Sequence, residues 1–148
     1  MATLLDSADR RDIVRRVNAL TAAHTRRWGS MTLERMLGHL ADQLRFASKE
    51  LVPRGPRGPL TWPPIRWLAI VVVPWPHGRL EASAELVQTG PREFEASRAE
   101  LLRLVERFPS DAAHDQLGSH PMFGRLSTHL WGLLAWRHLD HHLRQFGA

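Results

Sequence analysis

The sequence predicts an all-α protein built as a four-helix bundle, and three observations carry that prediction. Apolar residues recur at three- and four-residue spacing over four separate stretches. No stretch shows the period-two alternation of a half-buried strand. Prolines gather in one long connection instead of interrupting the helical stretches. At 148 residues the chain fits a single domain, residues 1–148, able to bury a substantial core without covalent staples.

The first helix is expected from a cap at Asp6 or Ser7 to about His24, with Ile13, Val17 and Leu20 on one face. Trp28-Gly29-Ser30 breaks it. Thr32 is the N-cap expected for the second helix, and Glu34 in its first turn complements the helix dipole. Its stripe of Leu33, Met36, Leu37, Leu40, Leu44, Ala47 and Leu51 forms a full amphipathic face. From Pro53 to about Gly90 the chain changes character. Pro53, Pro56, Pro59, Pro63, Pro64, Pro74 and Pro76 forbid a continuous helix. Within this insertion Ile65–Val73 reads either as one short helix or as an extended apolar segment. Gly90-Pro91 opens the third helix, with Pro91 suited to its first position, and Pro109 ends it. A second loop, residues 110–124, leads to the last helix at Ser127–Gln145. The long second connection lets the second and third helices run parallel instead of forming a hairpin.

Composition removes whole classes of function. There is no cysteine, which excludes disulfides, thiolate metal sites, iron–sulfur clusters and a protein thiol nucleophile. A metal site here must use imidazole, carboxylate, carbonyl or water. The formal charge of +5 raises the question of nucleic acid. The cations are arginines apart from Lys49, scattered in pairs such as Arg10-Arg11 and Arg26-Arg27 with acids interleaved, as solvated helix faces are. No nucleic-acid partner is expected. The N-terminus lacks the basic and apolar regions of a signal peptide, and the apolar run Ile65–Val73 is far shorter than the ~20 residues of a membrane span. The expectation is a soluble, cytoplasmic protein without a membrane partner. Arginine-rich, alanine-rich and proline-rich usage points to a bacterial source. A P-loop, a dinucleotide fingerprint, a serine elbow and an HExxH motif are all missing.

The last helix carries the chemistry. In Trp136-Arg137-His138-Leu139-Asp140-His141-His142-Leu143-Arg144-Gln145, His138 and His142 are four residues apart. That spacing places two imidazoles about 40° apart around a helix and about 6 Å along it, the arrangement of paired zinc-binding histidines. Two imidazoles need a third ligand. The second helix supplies one histidine, His39, beside its apolar stripe, with Gly38 leaving room for a close neighbour. One imidazole from one helix and a pair from another give a three-imidazole site with open positions for water or substrate, the mark of a catalytic metal. His141 competes for the role of His142, being three residues from His138. We prefer His142 and place His141 beside the site or on the surface.

These residues resemble a known superfamily. Arg27-Trp28-Gly29 with Met31-Thr32, Met36-Leu37-Gly38-His39-Leu40, His120-Pro121-Met122-Phe123-Gly124 and the segment from His138 to Gly147 are similar to the DinB/YfiT-like proteins, most of all to a bacterial branch of unknown function. The resemblance covers most of the chain, and the C-terminal motif is its specific part. It implies an up-down-down-up four-helix bundle and a metalloenzyme with one histidine ligand from the second helix and two from the fourth. Carried onto this chain, those ligands are His39, His138 and His142. Many relatives have Arg-Gly before the following glutamine where this chain has Leu143-Arg144, which leaves the role of the intervening residues open. Some relatives use the metal to activate a low-molecular-weight thiol, so the resemblance also implies a thiol cosubstrate. Relatives often pair, and the apolar insertion suits a homodimer.

Further candidates surround the triad. Asp42, one turn from His39, can accept a ring N–H and fix a tautomer, whereas Asp140 points away from His138. Gln145 can orient a bound molecule or cap the helix. His120, in extended backbone before Pro121, can touch substrate, add a ligand or be a plain loop histidine. Trp62, Trp67 and Trp75 can form a lid or a dimer face, or pack on the core. The sequence therefore predicts a metal-dependent enzyme acting on a small molecule, with Zn or Ni as the divalent ion and transfer or hydrolysis by an activated thiol or water. The alternative is a non-catalytic helical bundle that binds a small molecule or a protein.

Overall fold

A computed structural model describes residues 1–55, 58–75, 93–109 and 117–148. It is mostly helical, with a small two-stranded sheet. The described helices are α1 (Ser7–Ala19), α2 (Leu33–Ala47), α3 (Pro63–Trp67), α4 (Phe94–Glu106) and α5 (Thr128–Gln145). Between α4 and α5 the strands β1 (Ser119–His120) and β2 (Gly124–Arg125) pair antiparallel, with His120 opposite Gly124.

Local chemistry sets most of the ends. The Asp6 carboxylate accepts from the Ala8 and Asp9 amides at 2.8 and 3.0 Å, which starts α1. Thr32 and Ser127 do the same for α2 and α5, accepting from Arg35 and Leu130. Two helices are shorter than their apolar stripes predict. α1 stops at Ala19 because Leu20 turns extended, although Leu20 still packs in the core. α2 stops at Ala47, where Ser48 caps it and Lys49 adopts a left-handed backbone (φ 65°), so Leu51 joins the core from a turn. In the insertion, Pro63–Trp67 is helical and runs into a wider turn at Leu68–Val72 with its hydrogen bonds five residues apart, so Ile65–Val73 takes the helical alternative as far as Val72. The expected opening of the third helix at Gly90-Pro91 lies outside the described residues, as do His77 and His114.

The four long helices share one core. α1 and α2 each pack on both α4 and α5. α2 is the most enclosed: Leu33, Met36, Leu37, Leu40, Leu44 and Phe46 are buried, and His39, Asp42 and Gln43 are buried with them. The sequence reads α2 as amphipathic, but α4, α5 and β1 cover it on several sides. Its buried Asp42 carboxylate is compensated by Arg45 at 2.9 Å, which reaches Glu100 of α4 at 2.6 Å. Hydrogen bonds from Arg103, then Arg45, hold the Glu100 carboxyl down at about 2 despite its partial burial. On the other side Arg16 of α1 meets Asp140 of α5 at 2.8 Å, so Asp140 does turn away from the histidines. No helix among the described residues is long and apolar enough to cross a membrane.

Trp131 is the largest fully buried side chain, and its indole N–H donates to the Gly118 carbonyl at 2.9 Å. Gly118 also donates its own N–H to Ala47 at 2.8 Å, which ties the end of α2 to the start of β1. A Cβ at Gly118 would lie 2.0 Å from the Phe46 carbonyl oxygen. Backbone has to move to accept it. Gly118→Ala is expected to lower stability by about 1–3 kcal/mol, read as a lower urea midpoint; an unchanged midpoint would show that this approach can relax freely.

Candidate metal centre

Helix geometry brings the three predicted imidazoles together. His39 projects from the middle of α2, and His138 and His142 lie one turn apart on α5 where that helix packs on α2. His39 and His138 meet Nε2 to Nε2 at 2.9 Å with their rings nearly perpendicular. The ring centres of His142 lie 5.1 Å from His39 and 4.7 Å from His138. One nitrogen from each of the three falls within 4.8 Å of the others. His39 is 2% exposed and His138 8%, with His142 at the partly covered edge.

Burial sets the protonation state. Desolvation, reinforced by the neighbouring His39, pushes His138 well below the ordinary imidazole value and His142 down to about 3. Both rings are therefore neutral near pH 7 and offer lone pairs without first releasing a proton. The donor set fits a divalent ion. Metal–imidazole bonds of about 2.0–2.1 Å can be made to two nitrogens separated in this way. Two neutral rings can share one hydrogen bond across the His39–His138 contact, whereas a cation would be attracted by a lone pair on each ring.

The other nitrogens are engaged. His138 Nδ1 meets the Gln43 amide oxygen, and His142 Nδ1 meets the Gln145 amide oxygen at 2.8 Å. Gln145 also donates from Nε2 to the Trp28 carbonyl at 2.8 Å. Around the triad stand Trp75, 5.9 Å from His138 and 6.0 Å from His141, and Trp28, 6.0 Å from His141 (ring centres). Arg137 donates to the Ile70 and Val73 carbonyls and lies 5.2 Å from the Trp75 ring centre, fastening that part of the insertion onto α5.

The remaining sequence candidates take distinct places. The Asp42 carboxylate is joined to Arg45. His141 packs against His142, Trp28 and Trp75 at the edge of the cluster. His120 is buried against Phe123 and Trp131, and its Nδ1 accepts from the Met122 and Phe123 amides at 3.1 and 3.3 Å. That nitrogen closes the turn between the strands. Of the three insertion tryptophans, Trp75 reaches the site, while Trp62 and Trp67 are exposed. Sequence reasoning passed over Gln43 as an orienting group. It sits four residues after His39 but serves a ring on the other helix, so spacing along the chain held no direct signal. The Trp28-Gly29 break reads in the sequence as a helix stop, and its contact with Gln145, more than a hundred residues away, leaves no mark on local spacing.

A mostly helical protein with a buried cluster of three histidines is thus defined by its fold and site. A family model described as "Protein of unknown function (DUF1569)" matches residues 2–148, and the chain belongs to that family. DUF1569 lies in the DinB/YfiT-like clan. No curated protein and no solved structure matches the chain.

The buried imidazoles make stability pH-dependent. His120 and His142 are both depressed to about 3, chiefly by desolvation, from an unfolded value of about 6.5. Between those values the unfolded chain binds protons that the folded chain does not. Their contribution is therefore complete above about 6.5 and is lost as pH falls toward 3, at up to about 1.4 kcal/mol per pH unit for each histidine. In chelator-treated protein the urea midpoint should drop steadily between pH 7.5 and 5. A midpoint that holds level over that range would contradict the burial of these rings.

Proposed function

We propose that this protein is a metal-dependent enzyme in which His39, His138 and His142 hold one divalent ion, Zn or Ni. Convergence of three imidazoles from two packed helices is the observation that supports the reading. The reading also takes α1, α2, α4 and α5 as an up-down-down-up four-helix bundle, consistent with α1 and α2 each touching both α4 and α5. Such an ion, held by three neutral ligands with positions left open, would lower the pKa of a bound water or low-molecular-weight thiol toward neutrality.

The chain's own residues supply the rest. His39 and His138 are enclosed, so the open side faces His142, His141 and the tryptophans at the edge. Trp28 and Trp75 narrow that approach and keep it apolar, which favours a small-molecule substrate and restricts bulk water. Arg137 holds Trp75 in place through the carbonyls of the turn before it. Because the chain has no cysteine, a thiol nucleophile would have to arrive as a cosubstrate. The reaction class that fits is transfer or hydrolysis at an electrophilic centre.

Untagged protein, purified without an immobilised-metal column, should carry near-stoichiometric divalent metal by mass spectrometry. His39→Ala should lose most of it, with an affinity loss beyond the about 10–100-fold that outer hydrogen-bond partners command. Equal metal in wild type and His39→Ala would sink the assignment.

A further inference from the structure

We infer that Gln43 and Gln145 are positioning residues for the two imidazoles of α5, and that the Trp28-Gly29 turn is the lock that holds Gln145. The inference rests on reading the triad as a metal site, and it concerns how this chain aims its ligands. An amide oxygen can only accept a hydrogen bond. A ring nitrogen that meets one must therefore carry the proton, which leaves the opposite nitrogen of a neutral imidazole bare. Gln43 Oε1 places the proton of His138 on Nδ1, and Gln145 Oε1 does the same for His142. Both rings are then left with Nε2 bare as a lone-pair donor, and His138 Nε2 is the atom that meets His39.

His138 is gripped at both nitrogens by one helix. His39 and Gln43, four residues apart on α2, hold its Nε2 and Nδ1. Gln43 is 2% exposed and Gln145 5%, and an amide buried that deeply is costly unless its polar atoms are used. For Gln145 both ends are used. Its Nε2 donates to the Trp28 carbonyl, which cannot donate in return, so the amide is prevented from flipping its oxygen away from His142. Arg27 fixes the same turn to α5 by donating its backbone N–H to the Gln145 carbonyl at 2.7 Å.

Gly29 makes this contact sterically feasible. Its φ of 78° lies in the left-handed region, and a Cβ there would come within 2.6 Å of Gln145 Nε2. Substituting alanine pushes on the amide that aims His142 while leaving every side chain of the cluster in the sequence. The connection between α1 and α2 thus sets the direction of a ring on α5. Both orienting groups are neutral amides, so they fix the rings without adding charge.

The test reads ring protons and metal affinity separately. Long-range 1H–15N NMR on metal-free, 15N-labelled full-length protein should show His138 and His142 protonated at Nδ1. Gln43→Leu should release His138 alone, Gln145→Leu should release His142 alone, and Gly29→Ala should match Gln145→Leu. Gln43→Glu, which keeps an acceptor oxygen, should restore the His138 tautomer and guard against a variant that merely misfolds. In Zn2+ competition with a chromophoric chelator, each Leu variant and Gly29→Ala should bind about 10–100-fold more weakly. A purely structural role would lower the melting temperature without moving the ring protons. A proton on Nε2 of either ring in wild type, or tautomers unchanged in Gln43→Leu and Gln145→Leu, overturns the inference. Wild type with both protons on Nδ1 and no affinity for Zn2+ supports the orienting amides and rejects the metal reading instead, so the two failures are distinguishable.

Discussion

Two imidazoles pressed Nε2 to Nε2 at 2.9 Å, inside the seam between α2 and α5, are the constraint around which this molecule is arranged. Neutral rings brought so close, with water excluded, gain little from each other: one shared hydrogen bond at most. Their burial is tolerated because the surrounding apolar packing of Leu40, Leu44, Leu139 and Leu143 gives far more than the polar groups cost, at about 1.5–3 kcal/mol for each buried aliphatic side chain. The same burial keeps the rings uncharged, and an uncharged imidazole is the form that a cation can use.

From that seam the rest of the architecture gains its purpose. Ion pairs tie the helices together, with Arg45 linking Asp42 to Glu100 and Arg16 linking α1 to Asp140. Each of these joins two helices, α2 to α4 and α1 to α5. Amides and aromatics are among the groups that touch the rings. Gln43 and Gln145 occupy the Nδ1 atoms, while Trp28 and Trp75 border the accessible edge. Segments remote in sequence thereby meet at one place: the break after α1 reaches the end of α5, and the insertion after α2 is fastened to the same helix by Arg137.

The legibility of the sequence differs sharply between these parts. Helical spacing and caps exposed α2 and α5, since periodicity and N-caps act within a few residues of themselves. They overran α1 and α2 at their C-terminal ends, because Leu20 stays buried and Leu51 half-buried against the core after the helix has stopped, and contact with the core is what a stripe records. Asp42 reads as a partner for His39, being an acid one turn away, and in the fold its carboxylate also pairs with Arg45. Gln43, whose amide carries no charge to attract notice, meets His138 on the other helix.

The sequence by itself determined that this chain is helical, that no thiol chemistry can be its own, and that His138 and His142 share a helical face, because each of these follows from composition or from spacing within one helix. The similarity of its motifs pointed to the superfamily whose clan includes DUF1569. Only the tertiary structure decided which ring meets which across α2 and α5, which nitrogen faces inward, and that a glycine in a distant turn makes room for the amide behind His142. Those are contacts between residues far apart in the chain. Their distances depend on how helices pack, and no local pattern encodes them.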